Sequence, residues 1–563
     1  MVLQPVVDIA EICSRKGITQ AIICPGSRNA PLTLAFSRHP NIECFSIPDE
    51  RSAAFIGLGM AMKTKTPVVL ICTSGSAAYN FAPAIAEAYF SHIPLIVITA
   101  DRPQEWIGQL DGQTIYQENI FGKHVKKSFV FPSDYTHNDA VWHCHRITNE
   151  AINISSEFPQ GPTHLNVPMR EPFYPEDDET ISYSDEVKII NTEVFKHELL
   201  RWNDVEKFDD FNKILIIGGQ SKFSHELNRL LLEISEKYNI PIISDIISNL
   251  NEVANAITSQ DAFLKNKSIY DDLKPDLLIT YGKSVISKNL KLFLRQTSPA
   301  QHWHIQSVGD VADTFQSLTK IVRCNPFEFF NFFNKNKTLL ADQSFFDLWQ
   351  TENKNTVAAL HNNLRESTEF SEFKAFKTVM DALPGHVDLH LANSMTVRYA
   401  NLVGLENKKG IEVFANRGTS GIDGSVSTAI GAALTTERDV YLLIGDMAFF
   451  YDRNGFWHNY LPANLKIILF NNHGGGIFRM IDGPSRQPEL KEYFETDQQL
   501  TAKHLANEFN LKYRSCSSFQ KLEESLFEIA QPTDCPFILE IETDPATNKK
   551  VYREVIGILS QFN

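Results

Sequence analysis

Short runs of branched apolar residues recur along this chain, each broken by Gly, Pro, Ser or Asp and followed by a helix-like pattern. "QAIICPGS", "ECFSIPDERSAAFIGLGMAM", "PVVLICTSGSAAYNFAPAIAEAYF" and "IPLIVITADRP" do this between residues 20 and 170. Near-continuous apolar strands alternating with helices imply parallel sheets covered by helices on both faces. A second block holds "KILIIGGQ" (213–220), "IPIISDI" (240–246) and "PDLLITYGKS" (275–284). A third, from about 375, holds "IEVFANRGTSGIDG", "DVYLLIGD" and "LKIILFNNHGGGIF". A chain of 563 residues is too long for one hydrophobic core. The three blocks therefore read as three consecutive α/β domains, each a doubly wound parallel sheet, at 1–180, 190–335 and 345–563. The Pro-, Asp- and Glu-rich "REPFYPEDDETISYSDE" (170–186) reads as a linker. "CNPFEFFNFFNKNKTLLADQSFFDLWQ" (324–350) reads as a linker that ends in a helix.

Composition narrows the function. A net charge of −15 argues against a nucleic-acid or anionic-membrane surface, both of which need basic patches. Apolar runs such as "IPLIVITA" (93–100) are far shorter than the ~20 residues of a membrane helix, so no transmembrane segment is expected. The start, "MVLQPVVDIAEICSRKG", lacks the layout of a signal peptide and reads as a helix. None of the eight cysteines forms a CxxC pair, which suits free thiols in a reducing cytoplasm. "IIGGQS" lacks G-x-G-x-x-G and reads as a plain strand-to-helix turn. "WHCHR" (142–146) and "HWH" (302–304) each set two histidines on one face of a strand, without an evident third metal ligand.

One stretch asks for a chemical explanation. In "LLIGDMAFF" (442–450) a carboxylate, Asp446, sits at the lip of an apolar strand with no basic neighbour. "YDRNGFWHNYLP" then reads as turn and helix, and "LKIILFNNHGGG" as the next strand and its exit loop. Asp446 and Asn472 are 26 residues apart, the length of one strand–helix–strand unit. Right-handed crossovers bring both strand ends to one edge, where open α/β sheets bind ligands. A carboxylate, an amide oxygen and glycine-rich backbone are hard ligands that suit Mg²⁺ with a diphosphate. The alternative is that Asp446 caps a helix and "NN" and "GGG" are turn residues.

The wider pattern, Gly445-Asp446, then Asn471-Asn472 with Gly474 beyond, resembles the thiamine diphosphate motif, with Met447 in place of its usual glycine. The resemblance implies thiamine diphosphate held through Mg²⁺ (or Mn²⁺) on Asp446, Asn472 and the Gly474 carbonyl, with Gly445, Met447 and Ile477 alongside. Such enzymes need a glutamate on the aminopyrimidine N1′ of the cofactor as acid–base catalyst. Glu50, at the strand-to-helix turn of "SIPDERSAAF", is the candidate; an acidic helix start is its plainer reading. Domains bearing these two groups normally come from different subunits in this superfamily, implying a homodimer or homotetramer with active sites at the subunit interface.

"CPGSRNAPL", "DERSAAFIGLGMA", "TSGSAAYNFAPAIAEA", "TADRP", "ANSMTVR" and "NRGTSGIDGSVSTAIG" together resemble one family: the 2-succinyl-5-enolpyruvyl-6-hydroxy-3-cyclohexene-1-carboxylate synthases of menaquinone biosynthesis. That family decarboxylates 2-oxoglutarate and adds the resulting carbanion to isochorismate. Both substrates carry two carboxylates, which suits a group of arginines. Carried over by motif, Ser27, Arg28, Arg102, Gln113, Ser394, Arg398 and Arg417 would line the pocket, with Lys288 from the middle domain. Ser394 would also touch the cofactor, and Gly421 and Ile422 would hold it bent. Two positions depart: the usual Lys-Arg pair reads Lys288-Asn289, and the usual Asn-Gln pair reads Gly112-Gln113. The nearest alternative is another thiamine-dependent 2-oxoacid decarboxylase or an acetolactate-type synthase. "DGQTIYQ" lacks the His-His pair expected of a simple decarboxylase, and acetolactate synthases would not need so many arginines.

Overall fold

The computed structural model describes residues 3–176, 179–192, 208–366, 368–405, 409–481 and 483–559. The first sheet contains β1 (Gln20–Ile23), β2 (Glu43–Ser46), β3 (Val68–Cys72), β4 (Leu95–Asp101), β5 (Ser128–Val130) and β6 (Thr163–Pro168). The second contains β7 (Ile214–Gly218), β8 (Ile242–Ser244), β9 (Leu277–Tyr281), β10 (Gln301–Ile305) and β11 (Lys320–Val322). The third contains β12 (Asp388–Leu391), β13 (Glu412–Phe414), β14 (Val440–Gly445), β15 (Leu465–Asn471), β16 (Lys512–Cys516) and β17 (Phe537–Glu542). Their orders are β2-β1-β3-β4-β6-β5, β11-β10-β9-β7-β8 and β13-β12-β14-β15-β17-β16. Every strand pair is parallel. The fold is thus three α/β units in series, and the first and third share one strand order. β3 and β4 are buried along their whole length, as strands covered on both faces must be.

The first and third sheets share one apolar core. Its centre is the helix Glu50–Thr64 lying on the helix Ser425–Ala433. A Cβ added at Gly59 would stand 2.0 Å from the Thr428 carbonyl oxygen, and one at Gly431 1.9 Å from that of Ile56. The two helix backbones touch, and only glycine permits that approach. The middle sheet joins the third through side-chain amides: Asn249 accepts from Val413 N at 2.7 Å and donates to its carbonyl at 3.0 Å.

Three local expectations need correction. The stretch read as a linker at 170–186 packs along the first sheet: Tyr183 donates to the Ala35 carbonyl at 2.8 Å, and Gln4 to that of Ser182 at 3.1 Å. Residues 326–336 form a helix, Pro326–Asn336, capped by Asn325; its Phe329, Phe330 and Phe333 fill the middle core. "WHCHR" belongs to the helix Asn138–Ser156, whose helical periodicity turns Cys144, Ile147 and Ala151 inward. "HWH" does lie in a strand, β10, where His302 and His304 both meet Thr280 Oγ1 at 2.8 Å. No helix among the described residues is long and apolar enough to cross a membrane.

Candidate active site

Parallel strands deliver their carboxyl ends to one edge. In the third sheet β12 has neighbours on both sides, β13 and β14, so the chain leaves it first in one direction and then in the other. The crevice outside such a switch point is where open α/β sheets bind ligands. Ser394, Arg417, Asp446 and Asn472 follow β12, β13, β14 and β15 there.

The helix Asp446–Tyr451 starts at Asp446 itself, earlier than the sequence suggested, and a 3₁₀ turn follows at Arg453–Phe456. Asp446 is 2% exposed. Its Oδ1 accepts from Met447 N at 2.7 Å; Oδ2 accepts from Gly474 N at 2.7 Å and from Gln498 Nε2 at 3.1 Å. All three donors are neutral, and burial pushes the carboxyl up to about 6. Asn472 donates through Nδ2 to Glu372 Oε2. Its other end, the carbonyl oxygen, accepts no hydrogen bond from a described residue. Glu372 is itself buried; burial pushes its carboxyl up to about 7, with the Asn472 amide opposing and the nearby Asp446 charge adding. Asn548 holds it in place by accepting from its backbone N at 2.7 Å. Ile477 opens a one-turn helix beyond the glycine loop.

Among the described residues no cluster of three or more His, Cys, Asp or Glu side chains could hold a metal ion. A cation here would need amide and backbone oxygens, and Asp446, Asn472 and Gly474 offer just such a set, suited to a hard divalent ion. A buried carboxylate among neutral donors lacks a counter-charge that a cation would provide.

The basic residues of this edge crowd together. Arg417 donates to Asn393 Oδ1 at 2.8 Å, while its Nε is buried without an acceptor among the described residues. Burial lowers its pKa, and the neighbouring Arg398 lowers it further. Arg398 donates to the Ser394 carbonyl at 2.5 Å, and Ser394 holds a left-handed φ of 76°. An orphaned guanidinium N–H beside a second guanidinium fits an anionic ligand. Gly421 and Ile422 lie on the same exit loop; the Gly421 carbonyl accepts from Asn393 at 2.7 Å, and Ile422 packs on the shared core.

Lys288 opens the helix Lys288–Thr297 and is exposed. Asn289 is spent on Asp261, donating through its backbone N at 3.0 Å and its amide at 2.6 Å. One turn on from Lys288, Lys291 is half-buried, its pKa lowered mainly by that burial; Asp245 opposes the shift and Arg417 adds to it. Sequence reasoning missed this third cation, because nothing in "KSVISKNLK" separates it from an ordinary surface lysine.

The first sheet carries a second group at its own carboxyl edge. Ser27 and Arg28 follow β1, Glu50 follows β2 and Arg102 follows β4. Arg28 is buried, donates to the Met169 carbonyl at 3.0 Å and lies over the Phe173 ring. Arg102 pairs with Asp111 at 2.5 Å and also donates to the Gly112 carbonyl. Gln113 is exposed, in left-handed backbone at φ 54°. Glu50 opens the helix that Asp49 caps, and Asn80 reaches it at 3.5 Å. Asp49 and Arg51 contact Asn454 and Tyr451, beyond and at the far end of the helix that Asp446 begins. No hydrogen bond or ion pair among the described residues joins this group to the one on the third sheet.

Fold and edge chemistry together define a thiamine diphosphate-dependent enzyme. Three family models match in order: thiamine pyrophosphate enzyme, N-terminal TPP binding domain, at 7–125; middle domain of thiamine pyrophosphate, at 183–391; and thiamine pyrophosphate enzyme, C-terminal TPP binding domain, at 395–541. The chain is 45% identical to a protein of Cytophaga hutchinsonii over 99% of both chains. It is 39% identical to one of Flavobacterium johnsoniae over 97% of both, and 35% identical to one of Bacteroides fragilis over 98% of both. All three are named 2-succinyl-5-enolpyruvyl-6-hydroxy-3-cyclohexene-1-carboxylate synthase. The chain belongs to that synthase family.

Proposed function

We propose that this enzyme removes CO₂ from 2-oxoglutarate and joins the remaining four-carbon unit to isochorismate, a step of menaquinone biosynthesis. The observation that carries the reading is the basic group in a chain of net charge −15: Arg417, with a buried N–H that has no acceptor among the described residues, beside Arg398. Two dicarboxylate substrates need such a group, whereas a small uncharged acceptor does not.

When bound, thiamine diphosphate supplies the capacity to stabilise negative charge at the former keto carbon, and Mg²⁺ or Mn²⁺ anchors its diphosphate. Asp446, Asn472 and the Gly474 carbonyl would hold the metal, with Glu372 fixing which end of the Asn472 amide faces it. Gly445, Met447, Ile477, Gly421, Ile422 and Ser394 would border the cofactor. Glu50 would hold and move a proton at N1′ of the aminopyrimidine. Ser27, Arg28, Arg102, Gln113, Ser394, Arg398, Arg417 and Lys288 would bind and orient the substrates, Lys291 compensating for Asn289.

Within one chain, the neighbours of Glu50 touch the end of the helix farthest from Asp446. This supports a homodimer or homotetramer in which Glu50 of one copy completes the metal edge of another. The domains we infer are a pyrimidine-binding one at 1–180, a middle one at 190–335 and a diphosphate-binding one at 345–563. All eight cysteines are free thiols, in keeping with the cytoplasm.

Purified protein with thiamine diphosphate, Mg²⁺ and both substrates tests the reading. Isochorismate should disappear only when 2-oxoglutarate is present. Equally fast CO₂ release without isochorismate would make the enzyme a plain decarboxylase.

A further inference from the structure

The exit loop of β13, which carries Arg417, Gly421 and Ile422, is held from another domain by one buried carboxylate. Glu87 lies on the first-sheet helix Ala82–Ser91 and is 1% exposed. Its Oε1 accepts from Gly418 N at 2.8 Å and from Ser91 Oγ at 2.6 Å. Its Oε2 accepts from Thr419 N at 2.6 Å and from Thr419 Oγ1 at 2.8 Å. The loop rests directly on this helix: a Cβ at Gly418 would stand 2.7 Å from the Glu87 carbonyl oxygen. The middle domain closes the same junction, with Lys283 donating to the Ser91 carbonyl and Gln220 to that of Ala415 at 3.0 Å.

These contacts divide the control of Arg417. Asn393 fixes its guanidinium by accepting from Nη1 at 2.8 Å, and fixes the loop by donating to the Asn416 and Gly421 carbonyls. Glu87 fixes the backbone on which Arg417 stands, at the next two residues. A carboxylate suits the task because all four groups facing it are donors. A glutamine would turn an NH₂ toward one pair of them; the hydroxyl of that pair can rotate to accept, but its backbone N–H is left unsatisfied in a buried place.

We propose that Glu87 is a positioning residue of the active site, setting the place of Arg417 for its substrate carboxylate across the domain junction. The proposal rests on the reading of Arg417 as a carboxylate-binding group. Its charge also offsets the burial that disfavours the Arg417 cation.

Glu87→Gln in the full-length holoenzyme is the test, read by steady-state kinetics and by amide hydrogen exchange at Gly418 and Thr419. Exchange at both amides should speed up, and KM for 2-oxoglutarate should rise about 10-fold while kcat changes less than about 2-fold. The double variant Glu87→Gln/Arg417→Ala should be no worse than Arg417→Ala alone, since the two act in series. Thr419→Val, which keeps the carboxylate and both backbone donors, should raise KM in the same direction by about 2- to 3-fold. An unchanged KM in Glu87→Gln, or effects that multiply in the double variant, would overturn the positioning role. If Arg417→Ala itself leaves KM unchanged, the carboxylate-binding reading fails and this proposal falls with it. A KM that moves in Arg417→Ala but not in Glu87→Gln overturns the Glu87 role alone.

Discussion

The first and third sheets have the same strand order and opposite equipment. The third ends in a buried acid, Asp446, whose bonds among the described residues all come from neutral donors, and in two crowded arginines, one with an N–H that finds no acceptor among them. The first ends in arginines already engaged by their own chain: Arg28 on the Met169 carbonyl, Arg102 on Asp111 and Gly112. Topology therefore places both edges for ligands, and the exit loops decide what each edge lacks. On the reading proposed above, the third would take a cation at Asp446 and an anion at Arg417. The first offers Glu50 at a helix start, with only Asn80 among the described residues reaching its carboxylate.

Substitution at each edge should break this contrast in a different way. Asp446→Asn keeps the volume and removes the charge; Mg²⁺-dependent thiamine diphosphate binding, followed by calorimetry, should weaken by at least about 100-fold. Glu50→Gln on the other edge should leave that binding within about threefold while kcat falls by about 10²- to 10⁴-fold. Equal damage to binding from both variants would erase the proposed division of labour. Glu372→Met should cost about 10- to 100-fold in Mg²⁺ affinity, because the Asn472 amide loses the acceptor that orients it. The smallest effect belongs to the first edge. Asp111→Asn releases Arg102 from a half-exposed ion pair, so KM for the dicarboxylate substrate should fall about 2- to 5-fold. A higher KM would mean that Asp111 aids binding instead of competing for Arg102.

Much of this was legible in the chain. Strands such as β3, "VVLIC", announce themselves because both faces are covered, and a lone acid after "LLIG" marks an edge. What stayed hidden has a common cause. Nothing in the sequence marks Glu87 or Glu372, since their partners lie 331 and 100 residues away. Asn-rich "NPFEFFNFFNKN" read as a linker, although its phenylalanines at 329, 330 and 333 share one helical face. The i, i+2 histidines of "WHCHR" suggest a strand, but the apolar residues at 147 and 151 follow a helical period.

We propose that one edge from each of two copies makes one site. Mixing Glu50→Gln and Asp446→Asn chains, each inactive alone, measures this directly after dissociation and reassembly. Random pairing should restore about a quarter of the wild-type sites, since half the pairs are hybrids and each hybrid regains one intact site. No recovery of synthase activity in a mixture shown to contain hybrids would mean that both residues serve the same site from the same chain.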